Sequence, residues 1–202
     1  AGESVGLKME HFFSTAGVHP FEQLEWERRS AKITSDTGQV VFEQDNIEAP
    51  AGWSQLATKV VASKYFYGDN QTGRREKSVK QLVHRVCRAI ADRGKKDGYF
   101  ASEQDAEIFY NELTWLCVNQ YGAFNSPVWF NVGLFDVYGV GGSRHNFYWD
   151  PKVKEAVPCK NSYEHPQASA CFIQSVEDSM EDIMRLATSE AMLFKHGSGT
   201  GT

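Results

Sequence analysis

Apolar residues recur every three or four positions in four stretches of the chain, the spacing that places side chains on one face of an α-helix. The first stretch follows the helix-breaking segment 49–52 and is expected to end by Gly68. The second begins at Ser78, and Gly94 is expected to end it, because glycine readily adopts the conformation that terminates helices. The predicted buried faces are Leu56, Ala57, Val60 and Val61 in the first helix, and Val79, Leu82, Val83, Val86, Cys87 and Ile90 in the second.

The third and fourth helices begin at polar capping signals. Ser102, with Asp105 three residues later, resembles a capping box in which Asp replaces Glu. The fourth helix is expected to begin at Asp178 or Ser179, either of which is a favourable N-cap residue. The predicted apolar faces are Ala106, Phe109, Leu113, Leu116 and Cys117 in the third helix, and Met180, Ile183, Met184, Ala187, Ala191 and Phe194 in the fourth.

Two further patterns predict β-structure. Short β-prone runs flank the turn signal Ser35–Gly38 and predict a hairpin. The run "SACFIQ" predicts a short buried strand, and the fourth helix and the glycine-rich "KHGSGTGT" follow it, an order typical of the beginning of an α/β unit. Residues 121–151 are rich in aromatics and glycine without a clear period, so we expect irregular structure that lines a site.

Composition and charge narrow the class of protein. The 202 residues are 41% hydrophobic and 13% aromatic, which is typical of a globular chain with a substantial core. A net charge of −5, from 26 acidic and 21 basic residues mixed along the chain, argues against nucleic acid as a partner. There is no apolar run long enough to span a bilayer and no signal peptide pattern, so we expect neither membrane contact nor export but a cytoplasmic location.

The four cysteines, Cys87, Cys117, Cys159 and Cys171, are far apart in sequence and lack the paired spacing of a zinc site. We therefore expect reduced thiols and no metal, with Cys87 and Cys117 buried in the core. Considered without any relatives, Cys171 is more readily a small packed hydrophobe than a chemical group. The basic run Arg74, Arg75, Lys77, Lys80, Arg85 and Arg88 is expected to be a solvated helix face rather than a phosphate site.

Three motifs in order, "NSPVWFNVG" (125–133), "PQASACFIQSVEDSM" (166–180) and "EAMLFKHGSGTGT" (190–202), resemble the large chain of ribonucleotide reductase. The earlier "VHPFEQLEWERR" and "WSQLATKVVASKYF" are similar to its adenosylcobalamin-dependent, class II branch. The resemblance implies a mainly α N-terminal domain followed by a ten-stranded α/β barrel, of which this sequence supplies the first strand and helix. The implied boundaries are an extension over 1–18, a helical domain over 19–165 and an incomplete barrel over 166–202.

The resemblance implies radical conversion of ribonucleotides to deoxyribonucleotides, in an enzyme of the ribonucleoside-diphosphate reductase type. Cys171 matches a redox cysteine that supplies the proton for the leaving 2′-oxygen and, by forming a disulfide with a second thiol, electrons for the sugar. Ser126 resembles a residue that binds substrate phosphate, Ala170 would offer backbone groups beside the substrate, and Gly199 resembles a glycine that passes close to the nucleotide. The glycine run is not a Walker A motif, and without the resemblance it is an ordinary helix stop and loop.

The resemblance also implies an allosteric site and several partners. Asp178, Ser179 and Met180 match a site where a deoxynucleoside triphosphate effector binds, although a plain N-cap also explains Asp178. The helix from Ser179 to Phe194 would serve homodimerisation. Further implied partners are a thioredoxin-type reductant, adenosylcobalamin, and the remainder of the reductase, which would bind most of the cobalamin.

The radical-bearing cysteine of the family and the second redox cysteine have no counterpart in this sequence, so we expect the 202-residue chain to be inactive alone. Whether the substrate is a diphosphate or a triphosphate stays open. The alternative hypothesis is a non-catalytic helical module that kept the fold and serves as an interaction or regulatory partner.

Overall fold

The computed structural model describes residues 6–69, 72–142, 144 and 146–202. Residues 1–5 of the predicted extension, and residues 143 and 145 of the predicted irregular stretch, lie outside this part. The chain forms two compact units, Ala1–Ala123 and Phe124–Thr202. The domain boundaries expected from the sequence, at 18/19 and 165/166, stay predictions.

A long antiparallel hairpin organises the first unit. A short 3₁₀ turn, Pro20–Gln23, leads into strands β1, Trp26–Thr34, and β2, Val40–Pro50. The predicted turn is confirmed: the N–H of Gly38 donates to the carbonyl of Ser35 at 2.9 Å, and Gly38 has a φ of +83°. The first unit thus combines this hairpin with three helices, which contain more of its residues than the strands do.

Helix α1, Gln55–Lys64, lies against the hairpin through a different face from the one predicted. It ends four residues before Gly68, and Leu56 is 69% exposed, whereas Thr58 and Ala62 are fully buried. The reason is a polar contact, because the guanidinium of Arg29 on β1 donates to the Thr58 hydroxyl at 2.7 Å. The short strands β3, Gly68–Asp69, and β4, Arg74–Arg75, pair after this helix.

Helix α2, Val79–Lys96, begins at a capping box formed by Ser78 and has the predicted apolar face. Gly94 does not end this helix. A Cβ at Gly94 would lie 2.7 Å from the ring of Phe100, so glycine makes room for that ring, and Gly98, with a φ of +75°, follows the true end. The buried predicted residues are Val79, Leu82, Val83, Val86 and Cys87, whereas Ile90 is half-buried.

The basic run does not form one solvated helix face, as the sequence suggested. Its first two arginines form strand β4, and Arg85 is only 1% exposed. The Arg85 guanidinium donates to the carboxylate of Glu76 at 2.9 Å, and Glu76 is 3% exposed. A buried guanidinium requires such a partner because an unpaired charge in the interior is strongly unfavourable. The pattern of basic residues alone did not reveal this ion pair.

Helix α3, Glu103–Val118, packs on α2 and begins at the predicted cap, since the Ser102 hydroxyl accepts from the Asp105 N–H at 3.1 Å. The expectation that Cys87 and Cys117 are core residues is confirmed: both are buried. Their thiols form a hydrogen bond, which together with burial raises the pKa of Cys87. The other predicted apolar positions are buried at Ala106 and half-buried at Phe109, Leu113 and Leu116.

The second unit is less irregular than residues 121–151 suggested. That stretch contains two short helices, α4 and α5, and the first strand of a hairpin, β5 paired with β6. The parallel strands β7 and β8 follow, with helix α6 between them. The bounds are Ser126–Asn131 for α4, Leu134–Tyr138 for α5, Phe147–Asp150 for β5, Glu155–Pro158 for β6, Cys171–Ile173 for β7, Met180–Lys195 for α6 and Gly199–Gly201 for β8.

The predicted strand and the helix after it are present, but the glycine run, expected to be a helix stop and loop, forms strand β8, and β7 is not buried as expected. Ile173 is 89% exposed, Cys171 is exposed, and α6 has no buried residue. Parallel strands become buried when further strands and helices cover both faces. In the described part of the chain β7 has one neighbouring strand, all sheets are two-stranded, and no barrel closes. Among the described helices, none combines the length and the apolar character needed to cross a bilayer.

Candidate catalytic and effector sites

Cys171 is the exposed cysteine of this chain, whereas Cys87, Cys117 and Cys159 are buried. It begins β7 and lies directly opposite Gly199, the first residue of β8. The preceding carbonyl, of Ala170, accepts a hydrogen bond from the Gly199 N–H at 2.6 Å. Three residues singled out by the sequence, Ala170, Cys171 and Gly199, therefore lie together at one end of the parallel pair.

Glycine at position 199 is not required by the neighbouring chain. A Cβ built there would lie 3.6 Å from the Ala170 carbonyl oxygen, an ordinary contact, and the residue is exposed. Gly197 is different, because its φ is +84° and a Cβ would lie 2.6 Å from the ring of Phe130. The glycine run therefore combines one glycine that the turn needs with one that leaves open space beside Cys171.

A buried polar network holds the beginnings of β7 and β8, and sequence reasoning missed it. The side-chain amide of Asn131, at the end of α4, donates to the carbonyls of Gln167 and His196, each at 2.9 Å. The hydroxyl of Ser198 donates to the Ser169 carbonyl at 2.6 Å. Asn131 and Ser198 are each 5% exposed. Asn131 lies inside the motif "NSPVWFNVG", but no spacing rule marks a buried amide as a link between distant segments.

Ser126 is the first residue of α4 and is half-buried. The preceding Asn125 caps the helix, since its side chain accepts from the Val128 N–H at 3.3 Å. A rise of 1.5 Å per residue puts Ser126 about 7.5 Å along the helix axis from Asn131. The structure thus joins the helix that begins at Ser126 to the approach to Cys171, through Asn131 at the far end of that helix.

The predicted effector residues lie at the beginning of α6. Ser179 is the N-cap, because its hydroxyl accepts from the Asp182 N–H at 3.2 Å. Asp178 and Met180 are exposed, and within the described part of the chain the Asp178 carboxylate has no hydrogen bond or ion pair. A hydrogen bond from Arg185 lowers the pKa of Asp182. These residues follow the end of β7, whereas Cys171 begins it, so the structure does not bring the two predicted sites together.

A cavity of about 420 Å³ lies between β7 and α6. Its lining is mainly apolar and includes Phe147, Phe172, Leu193 and His196, but none of Ser126, Cys171 or Gly199. The volume falls within the range of small-molecule pockets. A corrin with its nucleotide loop is far larger, so these residues do not fit cobalamin.

Comparisons with known proteins agree with the motifs. The family model described as "Class II vitamin B12-dependent ribonucleotide reductase" matches residues 27–73 and 67–120. The model of the ribonucleotide reductase barrel domain matches residues 169–202, which contain Cys171, α6 and β8.

Several curated relatives carry the name vitamin B12-dependent ribonucleotide reductase. The protein of Rhodopirellula baltica is 58% identical over 100% of this chain and 20% of its own length. Those of Streptomyces coelicolor and Bradyrhizobium diazoefficiens are 42% and 35% identical over 97% of this chain, and over 18% and 19% of their own lengths. This chain thus spans about a fifth of the relatives that it matches. It belongs to the family of class II, vitamin B12-dependent ribonucleotide reductases, of which it contains the N-terminal domain and part of the barrel domain.

Proposed function

We propose that this chain is a working part of a cobalamin-dependent ribonucleotide reductase and that Cys171 is one of its two redox cysteines. The observation that carries the proposal is the exposed thiol of Cys171, placed opposite Gly199 on a parallel strand pair within the barrel-domain match. The names of the relatives supply the reaction: a ribonucleotide is reduced to a deoxyribonucleotide.

The chemistry requires two thiols. The ribose 2′-hydroxyl takes up one proton and leaves as water, while the sugar carbon receives two electrons and a second proton in its place. Two thiols that lose their hydrogens and form one disulfide supply both, so a ribonucleotide and two thiols become a deoxyribonucleotide, a disulfide and water. Cys171 is exposed and available for this step. Because Cys159 is 3% exposed and Cys87 and Cys117 are buried in the first unit, we place the second thiol in the remainder of the reductase.

The substrate would lie along the beginning of β7 and β8. The open space at Gly199 lets a nucleotide approach the backbone next to Cys171 and Ala170. Ser126 would contact phosphate from the first turn of α4. The structure supports these roles by keeping Ala170 and Gly199 beside the thiol; whether a diphosphate or a triphosphate binds depends on contacts with the remainder of the protein.

The beginning of α6 would hold the deoxynucleoside triphosphate effector. The carboxylate of Asp178 is exposed and unengaged by the described residues, so it can accept a hydrogen bond from a ribose hydroxyl. Ser179 and Met180 flank it, and the helix dipole favours an anion nearby. The exposed apolar side chains of Met180, Ile183, Met184 and Phe194 on α6 would support homodimerisation.

Cobalamin, which initiates the radical reaction when bound, belongs in this proposal to the remainder of the reductase. A thioredoxin-type protein would reduce the disulfide after each turnover. Both follow from the family and not from contacts of this chain.

The test is Cys171→Ser in the assembled enzyme, with the remaining chain, adenosylcobalamin and a dithiol reductant present. We expect multiple turnover to be lost, because serine cannot form a disulfide. Nucleotide binding and thermal stability should be retained, because serine is close to cysteine in size. Cys159→Ser is the matched control in the same unit. Near-normal deoxynucleotide formation per folded Cys171→Ser complex would overturn the redox role and favour a non-catalytic module. Turnover by the 202-residue chain alone would overturn the need for the remainder.

A further inference from the structure

Asn131 links three separate segments of the second unit. Its side-chain amide donates to the carbonyl of Gln167, four residues before Cys171, and to the carbonyl of His196, three residues before Gly199. At 5% exposure the amide is shielded from water, so these two hydrogen bonds are not replaced by solvent when they are lost.

The neighbouring contacts support the same arrangement. The ring of Phe130, next to Asn131 on α4, covers Gly197 so closely that a Cβ there would lie at 2.6 Å. Ser198 receives a hydrogen bond from Gln167 at 3.1 Å and donates to the Ser169 carbonyl at 2.6 Å. The end of α4 is therefore joined to the chain on both sides of the site, just before each strand begins.

Within the described part of the chain, the pairing of β7 with β8 alone does not fix this geometry. Strands β7 and β8 are three residues each and pair only with one another in the described part of the chain. An isolated two-stranded pair is marginally stable in water. The position of the Cys171 thiol relative to Gly199 therefore depends on contacts outside the strands, and the Asn131 amide makes two of them.

We infer that Asn131 is a positioning residue: by holding Gln167 and His196 together, it sets the register in which Cys171 faces Gly199. The inference rests on the proposed redox role of Cys171, because only that role makes the position of the thiol important for the reaction. The position of the thiol, however, is measured without any reaction.

The experiment uses the full-length reductase and three measurements on Asn131→Asp. The substitution keeps the size of the side chain but directs a carboxylate at two carbonyl oxygens, so both hydrogen bonds are lost. We expect the Gly199 amide, which donates to Ala170, to exchange about tenfold faster, the effect of losing roughly one to two net hydrogen bonds. The alkylation rate of Cys171 by iodoacetamide should change with it, and kcat should fall more than KM rises.

Lowering the pH supplies a rescue that a packing role would not show. A carboxyl between two carbonyls is expected to have a raised pKa, and its protonated form regains one donor. The ratio of the Gly199 exchange rate in Asn131→Asp to the wild-type rate at the same pH should therefore fall toward one as the pH falls; the ratio removes the slowing of amide exchange that acid causes in both proteins.

Asn161→Asp is the matched control. The Asn161 side chain also joins backbone groups, accepting from the Gly142 N–H at 2.9 Å and donating to the Val140 carbonyl at 3.1 Å, but it lies outside the β7–β8 site. It should leave Gly199 exchange and Cys171 alkylation unchanged. Asn131→Ser, which retains one donor, is a milder variant and should give intermediate rates.

The inference is overturned if either Asn131 variant, shown by thermal melting to be folded, has wild-type rates of Gly199 amide exchange and Cys171 alkylation. A failure of the redox role itself would appear in the Cys171→Ser assay and not in these measurements. The two failures are therefore distinguishable.

Discussion

The Ser179 hydroxyl accepts a hydrogen bond from the Asp182 N–H at 3.2 Å, so Ser179 caps α6 and the neighbouring Asp178 does not. The sequence allowed either residue to be the cap. Capping of α6 and availability to a ligand therefore belong to two different residues, although either residue could have done both. Stability of the helix end belongs to Ser179, and the Asp178 carboxylate stays available to a ligand.

This separation predicts opposite results for two alanine substitutions. Ser179→Ala should lower the free energy of unfolding of the second unit by about 1 kcal/mol, the usual value of an N-cap. Asp178→Ala should leave unfolding unchanged but weaken effector binding in the assembled enzyme by roughly 1–3 kcal/mol, because a ribose hydroxyl loses its acceptor. Urea unfolding and effector titration are the measurements. Unchanged effector affinity and base preference in Asp178→Ala would remove Asp178 from the effector site.

A second prediction concerns the segment before the hairpin, where Glu112 on α3 binds a run of backbone N–H groups. Its carboxylate accepts from the N–H of Phe13 at 2.9 Å and of Ser14 at 2.8 Å. Burial would raise the pKa of Glu112, but the hydrogen bonds from Ser14 and the backbone outweigh it and lower the pKa. Because Phe12 is 83% exposed, the apolar contacts of this segment come mainly from Phe13, which stacks on Trp115, and we expect the carboxylate to supply much of the remaining stabilisation.

Glu112→Gln should therefore loosen the segment without unfolding the unit. We expect the Phe13 and Ser14 amides to exchange roughly 5- to 150-fold faster, which corresponds to about 1–3 kcal/mol for hydrogen bonds to a charged group. Glu107→Gln, on the same helix but paired with Arg88, is the control and should leave these amides unchanged. Equal exchange rates in wild type and Glu112→Gln would show that the aromatic contacts of Phe13 hold the segment instead.

The third prediction is a pH dependence of stability. The hydroxyl of buried Tyr110 lies 2.7 Å from Nδ1 of His84 and 3.3 Å from Nε2 of His19. Burial lowers the pKa of both imidazoles, and Arg88 adds to the effect at each. The unfolded chain, with a histidine pKa of about 6.5, then binds protons before the folded one does. The contribution of the two neutral imidazoles to the free energy of unfolding is therefore complete above the pKa of the unfolded histidines. It is lost as the pH falls below that value.

Urea unfolding at about pH 8 and about pH 5.5 measures this dependence, within a range where most carboxylates stay ionised. Replacing both His19 and His84 with Gln should flatten it, whereas His196→Gln, in the second unit, should leave the slope as in the wild type. The assignment fails if the double variant keeps the wild-type slope.

Local signals in the sequence predicted the elements, but not how their faces are used. The turn at Gly38, the start of the second helix at Ser78 and the cap at Ser102 are encoded within a few residues, and the structure confirms them. The prediction of the buried face of α1 was wrong, because that face is determined by the contact of Thr58 with Arg29, which lies 29 positions earlier in the chain. Periodicity counts apolar residues and does not detect a buried hydroxyl that satisfies a guanidinium from another element.

The same contrast between local signals and distant contacts holds for the candidate site. The motif around Cys171 located the exposed thiol, whereas the partner strand formed by the glycine run was not predicted. The Asn131 link was not predictable, since its two acceptors are 36 and 65 positions away and are backbone carbonyls that any residue provides. The motifs therefore indicated which residues belong to the site, whereas the contacts that hold them required the structure.

The last prediction uses the contrast between two glycines separated by one residue. Gly199 has room for a Cβ, with its nearest neighbour at 3.6 Å, so Gly199→Ala should keep the fold and its thermal stability. If a nucleotide approaches the backbone beside Cys171, the added methyl should lower substrate affinity in the assembled enzyme. Gly197→Ala should instead destabilise the second unit by about 1 kcal/mol or more, because its φ is +84° and its Cβ would meet Phe130 at 2.6 Å.

Thermal melting and substrate titration of both variants separate the two effects. A fall in stability without a selective loss of affinity in Gly199→Ala would mean that the glycine serves the strand pair. Substrate affinity equal to that of the wild type in a stable Gly199→Ala enzyme would place the nucleotide away from β8. Because Gly197→Ala disturbs the same turn through its backbone, it shows how far a structural defect alone lowers affinity. The loss in Gly199→Ala must exceed that value to count as direct contact with the substrate.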